Sequence, residues 1–286
     1  MANALPSHDG NGGNSGGGGG NGGTTGGGSG GNGENSGGDG GSGGAAPAHF
    51  STLPPHATLP SEAQCTAWVN ARPTPETMPA NATANATMPT STWIAAYYAH
   101  PDQDLANNGG APYDARVTGA FTGSTDMILR WAACKWGIDE DVVRAEAWEE
   151  SSWRMSLHAD SASGADCHSA NVPVGAPNYW SDPSPCQPSR GILQCRLTYF
   201  NLYPYADTST ALNADYRMAR QRICMDGGIP WFANADTTDW GAYPPSTTDD
   251  ALYGCMNSWF SGGWVNDANN YVAHLKSILA ARSWPH

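Results

Sequence analysis

Residues 10–44 are almost entirely Gly, Asn and Ser, and they hold most of the chain's 36 glycines. Such a stretch offers no apolar surface to offset the entropy of ordering it, so it is expected to be a flexible tether. Whatever packs must therefore lie beyond about residue 45 of the 286. That remainder is long enough for one domain with a real core. Twelve Trp and eleven Tyr predict that the core and any groove are rich in aromatics. The sequence divides into a disordered tether over 1–49, an extended arm over 50–123 that packs on the domain, and a folded domain over 124–286.

The formal net charge is −13, with two lysines against eleven arginines. Binding nucleic acid needs a basic face, so no nucleic-acid partner is expected. No apolar run is long enough to span a bilayer. Met1–Gly10 lacks the basic start and apolar centre of a secretory leader. A secreted protein with this sequence would be a mature form with a start Met added, or one whose leader has been lost. The seven cysteines, Cys65, Cys134, Cys167, Cys186, Cys195, Cys224 and Cys255, form no CxxC pair. A zinc or thioredoxin-type site is therefore not expected, and the scatter suits disulfides in an oxidising compartment. An odd count leaves at least one cysteine unpaired or paired between chains.

Residues 45–123 are rich in Pro, Ala, Thr and Asn and show no helical periodicity, apart from a short helix near Ser61–Val69. Two sequons, Asn81-Ala-Thr83 and Asn85-Ala-Thr87, could accept glycans in a host with that machinery. From Ser124 the pattern turns helical. Ser124 or Thr125 can cap a helix through Met127, Ile128, Trp131 and Ala132 that stops at Gly137. Asp139 caps a second helix, with Ile138 and Val143 at staple spacing and acids crowding the first turn. Its last turn reaches Glu149, Glu150 and Ser151. Residues 154–190 read as a loop that a Cys167–Cys186 bridge would close, followed by the short apolar turn Gly191-Ile192-Leu193-Gln194. Further helices are predicted from near Ser209 to Gly227-Gly228, from about Asp249 to Trp259, and from Asp267 to Arg282. The domain is mainly α, with a small β/turn element between the second and third helices.

A glutamate ending a buried helix among aromatics is suited to donate a proton, because apolar surroundings penalise its charged form. Glu150, with Trp148 and Trp153 on either side in sequence, is such a residue. Glu146, one turn back on roughly the same face, and Glu149, about 100° away around the helix, are its competitors. From local sequence alone, all three also fit as solvated surface carboxylates.

Three blocks in order narrow the choice: Ala147-Trp148-Glu149-Glu150-Ser151-Ser152-Trp153, then Ser189-Arg190-Gly191-Ile192-Leu193-Gln194, then Thr210-Ala211-Leu212-Asn213. Together they resemble the soluble lytic transglycosylase family of the lysozyme-like superfamily. Trp131 to Asp141, and the arm from Arg72-Pro73 to Thr87, resemble a secreted subgroup of that family. The resemblance covers about residues 50–286. It implies a lysozyme-like helical domain that cleaves the bond between N-acetylmuramic acid and N-acetylglucosamine in peptidoglycan glycan strands, from a secreted or cell-envelope location. Glu150 would be the single catalytic acid and base, leaving a 1,6-anhydro ring without consuming water. Ser151 would orient Glu150 or contact a sugar N-acetyl group. Gly191, Ile192, Leu193 and Gln194 would floor the cleft, with Gly191 letting the backbone approach substrate. Asn213 would brace the site, and Tyr271 would either reach the cleft or sit in the core. No cofactor is implied, and a monomer is expected.

The chain departs from that family in two places. The insertion between Glu150 and Gly191 is long and carries Asp160, Asp166 and Asp182. Asp160 or Asp166, folded over the cleft, could activate a water and make the chain a hydrolytic muramidase or chitinase. Cys195 stands where the family carries an apolar residue, so it is taken as the unpaired cysteine, a small buried hydrophobe. The remaining pairs would be Cys65–Cys134, Cys167–Cys186 and Cys224–Cys255. A non-catalytic glycan-binding surface protein is the reading from another class, and the acidic charge and the tether fit it as well. The same charge opposes attraction to an anionic wall. No G-x-S-x-G elbow is present, His158 and His168 lack HExxH spacing, and the glycine tract lacks the ending of a phosphate loop.

Overall fold

The computed structural model of the chain describes residues 48–99, 113, 115–161, 187–196, 202, 204–234, 240–264 and 267–285. These belong to a compact unit spanning Pro47–His286. It is mainly helical, with few strands. In chain order the helices are α1 (Glu62–Asn70), α2 (Ala82–Asn85), α3 (Ser91–Ala99), α4 (Thr125–Trp136), α5 (Glu140–Ser151), α6 (Thr210–Met225), α7 (Thr248–Ser261) and α8 (Tyr271–Ala281). Between α5 and α6 lie the two-residue strands β1 (His158–Ala159), β2 (Ser189–Arg190) and β3 (Cys195–Arg196). They form one antiparallel sheet in the order β1-β2-β3, with His158 opposite Arg190 and Arg190 opposite Cys195. Among the described residues no helix is long and apolar enough to cross a membrane.

Side chains set the helix boundaries by capping orphan backbone groups. Ser124 Oγ accepts from the Met127 amide at 3.2 Å to open α4, which closes on Gly137 at φ +68°. Asp139 Oδ1 accepts from the Asp141 and Val142 amides at 2.8 and 3.3 Å to open α5. Ser209 and Thr247 cap α6 and α7 in the same way. Each of these starts falls within a residue or two of its sequence-based expectation.

Helix α6 is the central helix of this unit, and of its sixteen residues only Arg220 is not buried. It packs against α4 and α7, while α5 lies between α4 and α8. Its interior position makes an unpartnered polar side chain costly, and most of those along it are bonded, the buried Thr210 hydroxyl being an exception. Asp215 is fully buried and accepts from Lys135 Nζ at 2.8 Å, Trp136 Nε1 at 2.6 Å, and the Thr118 and Gly119 amides at 2.8 and 2.9 Å. Gln221 Nε2 donates to the Leu252 carbonyl, and Arg222 donates to Asp226 and to the Leu53 and Pro54 carbonyls. These last bonds pin the chain before α1 to the domain.

Disulfides Cys65–Cys134 and Cys224–Cys255 tie α1 to α4 and α6 to α7. Cys195 is free and buried. All three assignments match expectation, whereas the Cys167–Cys186 pair lies outside the described residues. The segment from residue 50 holds more helix than its sequence suggests. Besides α1 it contains α2 and α3, and α3 is apolar almost throughout (Trp93, Ile94, Tyr97, Tyr98 and three alanines), so no polar face marks its period. The two sequon asparagines are structural. Asn81 is 2% exposed; its Nδ2 donates to the Trp153 carbonyl at 2.7 Å and its Oδ1 accepts from the Met155 amide at 3.0 Å. Asn85 donates to Glu76 and Thr125. A glycan on either would require these bonds to break.

Removing the central acceptor should be severe. Asp215→Ala is expected to cost about 3–5 kcal/mol, because Lys135 and the Trp136 indole lose a buried partner. Urea unfolding of the variant against wild type measures this, and a loss under about 1 kcal/mol would show the hub to be dispensable.

Candidate active site

Helix α5 ends in a sharp reversal. Ser152 and Trp153 both have positive φ, +52° and +61°, and their amides bond back to the Trp148 and Ala147 carbonyls at 2.8 and 3.2 Å. Left-handed conformations cost non-glycine residues about 1–2 kcal/mol each, so the surroundings must hold this corner in place. Glu150 sits in the last turn before it, partly exposed.

The three carboxylates of α5 have different fates. Glu146 is fully buried and takes Arg217 Nε at 2.8 Å, with Arg217 Nη2 on the same oxygen. Glu149 faces His274 of α8, 2.7 Å from its Nδ1. Glu150 accepts from the Tyr271 hydroxyl at 2.6 Å, and Tyr271 is itself stacked on Phe260 of α7 at 4.8 Å. Burial pushes the Glu150 pKa up to about 8, assisted by the negative charges of Glu146 and Glu149 and opposed by the Tyr271 hydrogen bond and Arg217. Burial, the nearby carboxylates and that hydrogen bond push the Tyr271 pKa up as well, so its hydroxyl stays protonated. The aromatic that reaches the carboxyl therefore comes from α8. Trp153 is fully buried, with its indole nitrogen donating to the Arg144 carbonyl at 2.9 Å.

The turn between β2 and β3 is fastened to α5 and α6 by polar side chains. The Ser151 hydroxyl lies 2.8 Å from the Ile192 carbonyl and 3.1 Å from that of Ala147, and accepts from the Arg154 amide. Ser151 is 2% exposed, so it holds the turn to the helix rather than offering its hydroxyl to a sugar. Asn213 Oδ1 accepts from the Leu193 amide at 2.9 Å, and its Nδ2 donates to the Arg190 and Ala206 carbonyls at 2.9 and 2.6 Å. Ile192, Leu193 and Asn213 have no exposure. Gly191 has φ +78°, and a Cβ there would stand 2.4 Å from both the Ala206 oxygen and Asn213 Nδ2. Glycine is thus required by the approach of Asn213, a protein contact in place of the expected approach of substrate. Gln194 folds back, donating to the Gly191 carbonyl at 2.7 Å, and its buried Oε1 has no protein partner. Cys195 Sγ lies 3.5 Å from the Asn213 carbonyl, and burial keeps it a thiol.

The structure thus brings Glu150 and Tyr271 together beside a braced turn. Asp160 is engaged elsewhere, with the Ser189 hydroxyl on its carboxylate and Arg196 3.9 Å away. Asp166 and Asp182 lie outside the described residues. Sequence reasoning missed Arg217 and Phe260. Arg217 stands one turn beyond Asn213 on α6, so helical spacing alone places it on the same face. For a metal, His49, Asp139 and Asp141 lie within 4.8 Å of one another. Asp139 already caps α5, and Asp141 is taken by Arg144 and Arg282. Compared with protein-family models, with curated proteins and with solved structures, the chain matches none.

A raised carboxyl pKa stabilises the fold fully below the ordinary value of 4.5, and that contribution is lost as pH rises through about 8. The Tyr271 bond favours the charged form, so Tyr271→Phe is expected to move the Glu150 midpoint above 8. Carboxyl ¹³C NMR titration reads this directly, and a midpoint that stays put or falls would show the bond to be inert.

Proposed function

We propose that this chain has a lysozyme-like catalytic domain that cleaves the β-1,4 bond between N-acetylmuramic acid and N-acetylglucosamine in peptidoglycan, as a lytic transglycosylase. The observation that carries the reading is Glu150: a partly exposed carboxyl at the end of a buried helix, hydrogen-bonded by Tyr271, with burial raising its pKa to about 8. The order of its three sequence blocks supports it, and so does the packing of the Gly191–Gln194 turn against α5 and Asn213.

In this scheme Glu150 gives its proton to the glycosidic oxygen as the bond from the muramoyl C1 breaks. The resulting carboxylate accepts the proton of the muramoyl 6-hydroxyl as that oxygen bonds to C1. The 1,6-anhydro ring closes, Glu150 regains its proton, and no water is consumed. A second carboxylate, needed in the usual two-carboxyl schemes, has no task here. Among the described residues the candidates for one are committed elsewhere: Glu146 to Arg217, Glu149 to His274, and Asp160 to Ser189. The two disulfides suit an oxidising compartment and so a secreted or cell-envelope enzyme.

Muropeptides released from purified peptidoglycan, identified by mass spectrometry, test the reading. Wild type is expected to release anhydromuropeptides, and Glu150→Gln to lose at least about 10²–10⁴-fold in rate. Reducing ends would make the chain a hydrolase. Binding without release by either protein would make it a glycan-binding protein.

A further inference from the structure

Glu146 is buried, titratable and unused by the scheme above. It lies on the face of α5 that carries Glu150, one turn earlier, where residues four apart are neighbours at about 5–6 Å between Cβ atoms. Both Arg217 nitrogens that reach it converge on Oε1, and the buried Oε2 has no hydrogen-bond partner. Arg217 is fixed in turn by Gln221 Oε1 at 3.1 Å and by the Trp259 ring, 4.5 Å beneath its guanidinium. A carboxylate with a buried oxygen that no protein group bonds serves poorly as a mere structural tie, since an orphaned buried acceptor destabilises the fold.

We propose that Glu146, held ionised by Arg217, is a positioning residue that keeps Glu150 in its acid form by placing a buried negative charge one helical turn beneath it. The inference rests on Glu150 being the catalytic acid. Burial pushes the Glu146 pKa up, and Arg217 opposes this. A guanidinium does not deprotonate, and neutral Glu146 would leave it buried with no counter-charge, so the pair stays ionised. The other titratable groups around the two glutamates are Glu149 on α5, Arg220 on α6, Tyr271 on α8 and Cys195 on β3. Tyr271 and Cys195 are neutral, and Glu149 is turned to His274. Of the two neighbouring carboxylates that raise Glu150, Glu146 has the larger effect, and removing it would also leave Arg217, which acts on Glu150 as well, without its carboxylate partner.

The full chain with ¹³C-carboxyl glutamate, titrated by NMR, tests this, with Glu150→Gln and Glu146→Gln assigning the two resonances. In wild type, Glu146 should be ionised throughout the range in which Glu150 titrates. In Glu146→Gln the Glu150 midpoint should fall by about one pH unit or more, and Glu146→Asp, which keeps the charge, should restore most of it. An unchanged midpoint in Glu146→Gln overturns the proposal. So does a wild-type Glu146 that is protonated at neutral pH, a result that stands even if the glutamine variant does not fold. Where peptidoglycan is cleaved, the basic limb of the pH–rate profile should move down with the midpoint. If wild type cleaves nothing, the proposed function fails while the titration still decides whether Glu146 sets the state of Glu150.

Discussion

A helix buried along almost all of its length must pair the charged and amide groups it carries inward, and α6 places Asn213, Asp215, Arg217, Gln221 and Arg222 in the interior. Each extends to a different neighbour. Asp215 reaches α4 and the chain before it, Arg217 reaches α5, Gln221 reaches α7, and Arg222 reaches the segment ahead of α1. Buried ion pairs of this kind are weak net stabilisers, because desolvation offsets most of the attraction. Their effect is on alternatives: a helix rotated or shifted by one residue would strand several charges at once. The register of α4, α5 and α7 around α6 is thereby fixed, and the position of Glu150 with it.

The same logic operates at smaller scale around the turn. One asparagine satisfies three backbone groups of the Arg190–Ala206 region, and it comes so close that residue 191 can only be glycine. Ser151 completes the attachment from the other side. Glu150 is consequently carried by a strained corner whose neighbours on both sides are held by side-chain bonds. The disulfides add restraint at a distance, closing separations of 69 and 31 residues, each worth about 2–4 kcal/mol through the unfolded chain.

Local chemistry was legible in the sequence wherever its cause was local. Ser124, Asp139, Ser209 and Gly137 mark helix ends because capping involves residues two to four apart. The exposure of Tyr271 was open from sequence; the structure gives both answers, a buried ring whose hydroxyl reaches Glu150. The sequence hid what depends on partners far along the chain. Asn81 resembles a glycan acceptor until Trp153 and Met155 close over it. Ser151 and Gly191 resemble substrate contacts until Ile192 and Asn213 take up their capacity. Helix α3 lacks a polar face, so its period leaves no trace.

These features converge on a carboxyl whose acid form burial favours, while the acids nearest it among the described residues, Glu146, Glu149 and Asp160, are engaged by other side chains. The chemical claim is that the muramoyl 6-hydroxyl, and not water, attacks the broken bond. Digesting peptidoglycan in H₂¹⁸O and weighing the released muropeptides tests that claim most directly. The account predicts muramoyl ends that are anhydro and free of ¹⁸O. Ends carrying one ¹⁸O atom at the reducing position would contradict it, and would place an activated water opposite Glu150.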